Sequence, residues 1–353
     1  MFRLSLTALI AVSLLLSCKK PSPNSSNNSL QDTLTAGWTM SKINDQEFTN
    51  VRFVQNNGIA VSTKAVYVSG NGGESWQQRI SYGNQIIGGG FGRRNIGIDS
   101  IGNVVISQGL YNGSAPTGYS LLVSHDYNNF TIIQDNLVIN DNWFIKNNIA
   151  YGITANQSGT DINFLKTING GSSWNTVSTL PRIGSLIEIG VTRLAFINSE
   201  IGWAATPYGM FKTTNSGVTW LHLYKPPGVI TNISAIDANT CYILFDAFQR
   251  TTGIQIDKIS KTTDGGSSWE EVFSENTYAP GLGPNLQALQ FVNANTGYLV
   301  RGKWIYKSTD GGVTWSKVVS IHSSLCGFTD IYFTDANHGW ACSGQGQILR
   351  YQQ

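Results

Sequence analysis

Apolar residues in this chain come in short runs, each closed by a polar turn and reopened at once. The segments "LAFINSEIGWAA" from Leu194, "ISAIDANTCYIL" from Ile233, "LQFVNANTGYLV" from Leu289 and "IYFTDANHGWAC" from Ile331 share one pattern. A short apolar strand meets a turn built on Asn or Asp, and a second strand opens, usually at a Gly-aromatic pair. A third strand, such as "GMFKTT" or "WIYKST", runs into a hairpin tip, and a fourth follows it. Runs this short, bounded by Gly, Asn and Asp, predict strands and hairpins rather than helices.

The tips repeat most visibly. "VSGNGGESW" ends at Trp76, "KTINGGSSW" at Trp174, "KTTNSGVTW" at Trp220, "KTTDGGSSW" at Trp269 and "KSTDGGVTW" at Trp315; a decayed copy, "VSHDYNNF", ends at Phe130. Their turn residues are Asn71, Asp126, Asn169, Asn215, Asp264 and Asp310. Each interval between them is close to the length of one four-stranded propeller blade. Weaker first-strand copies at "VRFVQNNGIAV" (51), "NIGIDSIGNVV" (95) and "NWFIKNNIAYG" (142) bring the count to seven units. The seventh lacks a tip, yet "GWTMSKI" from Gly37 resembles the "VTWSKVV" that follows the sixth. The expectation is an all-β, seven-bladed β-propeller over residues 37–353, with the N-terminal strand closing the last blade. Closure removes two exposed sheet edges.

The tip chemistry reads as structural. Asp or Asn accepts N–H groups within its own turn, and the following Gly permits positive φ. The Trp is a large plug suited to packing between blades. Three of the six tips carry Asn, which cannot act as a general acid or base, and tips around a rim cannot converge on one substrate.

The N-terminus predicts an anchor. Leu4–Leu16 is a mostly apolar run behind Arg3, as long as a signal-peptide core and short of a membrane span. It ends in "LLSC", which resembles a bacterial lipobox, with Leu15 three positions before Cys18 and the small Ser17 at the cleavage position. Residues 1–17 are read as signal peptide, Cys18 as the lipidated N-terminus, and residues 18–36 as a polar tether. The expected location is the bacterial cell envelope, on the outer membrane, with membrane contact through the lipid. Charged residues make only 12% of the chain and the net charge is +2, so nothing points to nucleic acid. Cys326 and Cys342 are candidates for a bridge, with Cys241 left over; spacing leaves the pairing open.

In a propeller the second-to-third loops and the blade-to-blade links open on one face, and here they are the irregular ones. Variable loops on a rigid scaffold carry binding residues. The candidates on that face are Arg93, Arg94, Arg182, Arg250, Arg301, Lys303 and Trp304, suited to an anionic glycan or an acidic protein loop. "GGGFGRRN" lacks the following helix that a phosphate loop requires. Metal-ligand spacing is absent among the four histidines, and no cofactor is expected.

The tip motif resembles the Asp-box, or BNR repeat, of sialidases and many bacterial propellers. The whole unit is similar to the photosystem II stability and assembly factor group of single-domain seven-bladed propellers. That resemblance implies a non-enzymatic role, binding a protein subunit through a basic face. The competing expectation is a glycoside hydrolase of the sialidase-like or xyloglucanase-like propeller type. Against it, the hallmark Arg-Ile-Pro is lacking ("RIG" at Arg182 is the nearest match), and xyloglucan-active enzymes use two propellers where this chain has one. Asp161, Glu188, Asp246 and Asp257 are the acids not spent on turns or tips, and the sequence shows no pair among them, whereas glycoside hydrolysis needs two carboxyl groups.

Overall fold

A computed structural model describes residues 32–43, 47–81, 95–112, 115–133, 139, 141–155, 162–180, 193–206, 209–249, 254–276, 286–322 and 327–353. Seven antiparallel sheets follow one another in chain order. Their first strands, Phe48–Val54, Asn95–Ile98, Asp141–Lys146, Arg193–Phe196, Val229–Ala235, Leu286–Phe291 and Phe328–Phe333, touch successively around a closed ring. The molecule is the seven-bladed propeller that the repeat predicts.

Strand β1 (Thr33–Leu34) and strand β2 (Trp38–Lys42) close it. β2 pairs Trp38 with Tyr351 and Lys42 with Gln347, supplying the outer strand of blade 7. β1 departs from expectation. Thr33 and Leu34, read as tether in the sequence, pair with Ser320 and Val319 and add a fifth strand to blade 6. Two residues with no apolar periodicity give no strand signal; the free edge of blade 6 supplies the partners. A turn with Trp38 N–H donating to Thr35 O joins β1 to β2, so the N-terminal segment straps blade 6 to blade 7.

The blade-to-blade core explains the repeat. At three junctions the aromatic that ends one blade's first strand stacks on the aromatic that opens the preceding blade's second strand. Tyr242 lies 3.6 Å from Phe291, Tyr298 4.0 Å from Phe333 and Trp340 3.8 Å from Phe53, centroid to centroid. The same Phe ring also covers the glycine of its own blade. A Cβ on Gly58, Gly202, Gly297 or Gly339 would stand 2.2 to 2.6 Å from the ring of Phe53, Phe196, Phe291 or Phe333. Blade 5, with Ala235 for the Phe, has Cys241 for the Gly.

The tips are staples, as read. Asn71, Asn169, Asn215, Asp264 and Asp310 each accept the N–H four positions on, at 2.9 to 3.0 Å. The preceding Ser or Thr hydroxyl accepts the N–H of the glycine two positions after the turn residue in each of these five. In the decayed copy Asp126 accepts from Asn128 and Asn129 instead. The tip tryptophans insert between blades: Trp220 packs edge-on to Phe164 of blade 3 and Phe196 of blade 4, and Trp269 stacks on Tyr224 of blade 4.

Candidate functional site

The inner strands carry an unexpected polar layer. One register position, three before Phe53, Phe144, Phe196, Ala235, Phe291 and Phe333, is occupied in blades 1 and 3 to 7 by Asn50, Asp141, Arg193, Asn232, Ala288 and Asp330. With Arg52, Trp143 and Tyr332, members of this layer line a cavity of about 240 Å³ in the central channel. An inner strand needs only one face for the neighbouring blade, so the channel side tolerates polar groups wherever partners exist.

The partners are the adjacent blades. Asp330 of blade 7 accepts the Val51 N–H of blade 1 at 3.1 Å, Asn50 Nδ2 at 3.3 Å and an Arg52 guanidinium N–H at 2.5 Å. Asp141 of blade 3 repeats the first contact one position for one, accepting the Leu194 N–H of blade 4 at 2.7 Å. Its own neighbour Asn142 donates a second N–H at 3.0 Å. Further along the ring, Ser234 Oγ accepts the Phe291 N–H and Gln290 Oε1 accepts the Phe333 N–H. The polar groups of the inner strands therefore stitch neighbouring blades together.

Their electrostatics follow from desolvation. Burial pushes the Asp141 carboxyl up to about 6, against the opposing pull of Arg193 and the two N–H donors. Burial lowers the Arg193 pKa, offset in part by Asp141. Burial also acts to lower the Arg52 pKa, but Asp330 and Tyr332 outweigh it and the net shift is upward. Arg52 further lies over the Tyr332 ring at 5.1 Å. Sequence reading missed all four charged residues. The signal was present: a charge one or three positions before the aromatic of an otherwise apolar strand, in "VRFV", "NDNWF", "TRLAF" and "TDIYF".

Of the residues singled out on the loop face, Arg93, Arg94, Arg182 and Arg250 lie outside the described residues, as does Cys18. Arg301 is corrected. Its side chain is 6% exposed and pairs with Glu275 of blade 5 at 2.5 Å, so it faces the junction between blades and not solvent. Trp304 is half-buried where the third strand of blade 6 begins, with Lys303 Nζ 5.3 Å and Lys317 Nζ 4.5 Å from its ring centroid. Cys342 and Cys241 are buried free thiols, both pushed well above the usual range by burial. Cys326 lies outside the described residues.

A second correction concerns acids. Asp246 and Asp257, between which the sequence shows no relation, stand directly opposite each other on neighbouring strands of blade 5, and Glu275 stands opposite Asp257. Like charges so placed oppose the sheet; Arg301 on Glu275 supplies one compensating charge. Asp257 is 0% exposed. Among the described residues no group of three His, Cys, Asp or Glu side chains is arranged to hold a metal ion.

The chain matches no protein-family profile and no curated protein. Solved structures do resemble it. YCF48 bound to D1 peptide shares 15% identity over 92% of this chain and 100% of its own, with a TM-score of 0.64. YCF48 from Cyanidioschyzon merolae shares 18% over 90% of this chain and 99% of its own, at 0.62. The GH74 xyloglucanase from Xanthomonas campestris shares 13% at a TM-score of 0.65; the match covers 89% of this chain but only 54% of the enzyme. At these identities the likeness is one of fold.

Proposed function

We propose that this protein is a lipid-anchored propeller of the bacterial cell envelope that binds a segment of a protein partner through its loop face and channel mouth, without chemistry of its own. One observation carries the reading. Among the described residues, both carboxylates lining the channel cavity, Asp141 and Asp330, are held by an N–H of the next blade, and an arginine lies beside each. The rest of the lining offers a ligand amide, guanidinium and aromatic groups: Asn232, Arg193, Arg52 and the 39%-exposed Trp143. Such groups recognise peptide backbone and acidic side chains. The likeness to a propeller solved with a bound peptide supports the same class of ligand. Cys18 provides the anchor, and Arg93, Arg94, Arg182, Arg250, Lys303 and Trp304 extend the binding face.

The test is a crosslinked pulldown from the native envelope, run beside a chain with Arg93, Arg94, Arg182 and Trp304 changed to Ala. A stoichiometric protein partner lost in the variant supports the reading. No protein partner in either sample overturns it and sends the search to glycans.

A glycoside hydrolase is the second reading, favoured by the cross-strand pair Asp246 and Asp257 and by the elevated Asp141. Paired carboxyl groups at short range are the retaining arrangement. Against it, Asp257 has no exposed surface through which to reach a glycosidic oxygen. Release of reducing sugar from envelope or plant glycans, abolished by Asp257→Asn, would establish this reading over the first.

A further inference from the structure

The strap that closes the ring also sets where the described chain begins. Thr33 pairs with Ser320, the last residue of blade 6's fourth strand, and Leu34 with Val319 behind it. The Asp32 carboxylate accepts the His322 N–H at the start of the next link. Fourth strands end on the loop face, so Asp32 stands at that face, at the rim of blade 6. Ser320 pairs on its other side with Trp304. The start of the strap and the half-buried Trp304, flanked by Lys303 and the exposed Lys317, are thus one strand apart.

We propose that this corner is a seat on an anionic phospholipid surface, which turns the loop face of the propeller toward the membrane that holds the anchor. The proposal rests on the anchor at Cys18. The chain from Cys18 to Asp32 spans at most about 50 Å when fully extended, and its shortest path presents the loop face. The corner has the chemistry of a lipid interface: an indole with an apolar body and a polar N–H, and two ammonium groups on apolar stems. Two lysines near an anionic surface attract it too weakly to recruit a free protein and strongly enough to orient a tethered one, whose effective concentration at the surface is high. Of the described acids nearby, Glu275 is paired with Arg301, and Asp32, which accepts the His322 N–H, keeps its negative charge, so the two lysines leave the corner net positive. The partner received by the loop face then belongs to the same membrane.

A chain beginning at Cys18 and carrying Cys326→Ser is coupled at Cys18 to a synthetic acyl anchor; the remaining thiols, Cys241 and Cys342, are buried. It is placed in phosphatidylcholine vesicles with and without phosphatidylglycerol. A lipid brominated beneath the headgroup should quench the wild type more than Trp304→Phe, by up to the share of one tryptophan in ten. Acylation of Lys303 and Lys317 should slow about threefold or more on the anionic vesicles relative to detergent, and recover in high salt. The double variant Lys303→Glu/Lys317→Glu, at positions that pack no core, should abolish the extra quenching. Equal quenching of wild type and Trp304→Phe, or unchanged lysine labelling, overturns the seat. Because the anchor is synthetic, this result is separate from whether cells acylate Cys18, which mass spectrometry of the native N-terminal peptide decides.

Discussion

Trp340 of the last blade stacks on Phe53 of the first, with ring centroids 3.8 Å apart and planes 8° from parallel. The indole N–H donates to Gly72 O in the first blade's tip at 2.8 Å. The seam of the ring is thus held by the same aromatic pairing as the junctions of blade 5 with blade 6 and of blade 6 with blade 7, although the two residues are nearly the whole chain apart. Trp340→Ala should cost about 3–5 kcal/mol. A double-mutant cycle with Phe53→Ala should return a coupling of about 0.5–1.5 kcal/mol, read from urea midpoints. Additive losses would show that the stack contributes nothing beyond buried area.

Gly297 has no room for a side chain, since its Cβ would meet the Phe291 ring at 2.6 Å. Gly297→Ala should cost about 1–3 kcal/mol through overpacking. On a Phe291→Ala background the same change should be close to neutral, because blade 5 already carries Ala235 with Cys241. Chemical denaturation of the four proteins checks both statements.

The tip carboxylates predict one pH response. Hydrogen bonds from Asn129 and Asn128 hold Asp126 at about 2, and the Thr314 hydroxyl and N–H hold Asp310 at about 2. The Ser268 hydroxyl and N–H hold Asp264 below the ordinary carboxylate range. A depressed folded-state pKa stabilises above the unfolded value near 3.9, and that contribution is lost as pH falls toward 2. Replacing all three by Asn, as in the natural Asn tips, should leave the neutral-pH Tm nearly unchanged and flatten its decline between pH 4 and 2.

Asp141 predicts the opposite slope. Its folded-state carboxyl is raised to about 6 from 3.8, so the folded state binds the extra proton between those values and stability falls as pH rises from 4 to 6. The penalty above pH 6 is at most about 3 kcal/mol. Asp141→Asn keeps an acceptor for the Leu194 N–H and cannot ionise. Denaturant midpoints across pH 4 to 7 should show the slope in the wild type and not in the variant.

Removing the chain through Thr35 should uncover the edge of blade 6, because among the described residues β1 is the strand paired outside Ser316–Ser320. A bare edge is a template for another chain. The truncated protein should keep its β circular dichroism and show concentration-dependent association in sedimentation velocity. A strictly monomeric truncation would mean the strap has no protective role.

Much of this was legible in the chain. The tips, the blade count and the closing strand follow from local chemistry repeated in order: an Asx turn, a glycine at positive φ, a tryptophan to plug the gap between blades. Arg301 was misread because its place beside "GKW" suggests an exposed turn, whereas Glu275, on the outer strand of the preceding blade, reaches it only once blade 5 packs on blade 6. The acids Asp246 and Asp257 look unrelated along the chain until the hairpin register sets them opposite.

The amino-acid sequence by itself determined the blade, because a blade is built from neighbours in the chain and its turns are specified residue by residue. The tertiary structure alone decided the channel. Asp330 meets Arg52, and Asp141 meets the Leu194 N–H, only when seven inner strands share one axis and desolvate each other's polar groups. It also decided the place of the strap beside Trp304, since two strap residues acquire a strand only from the edge they find.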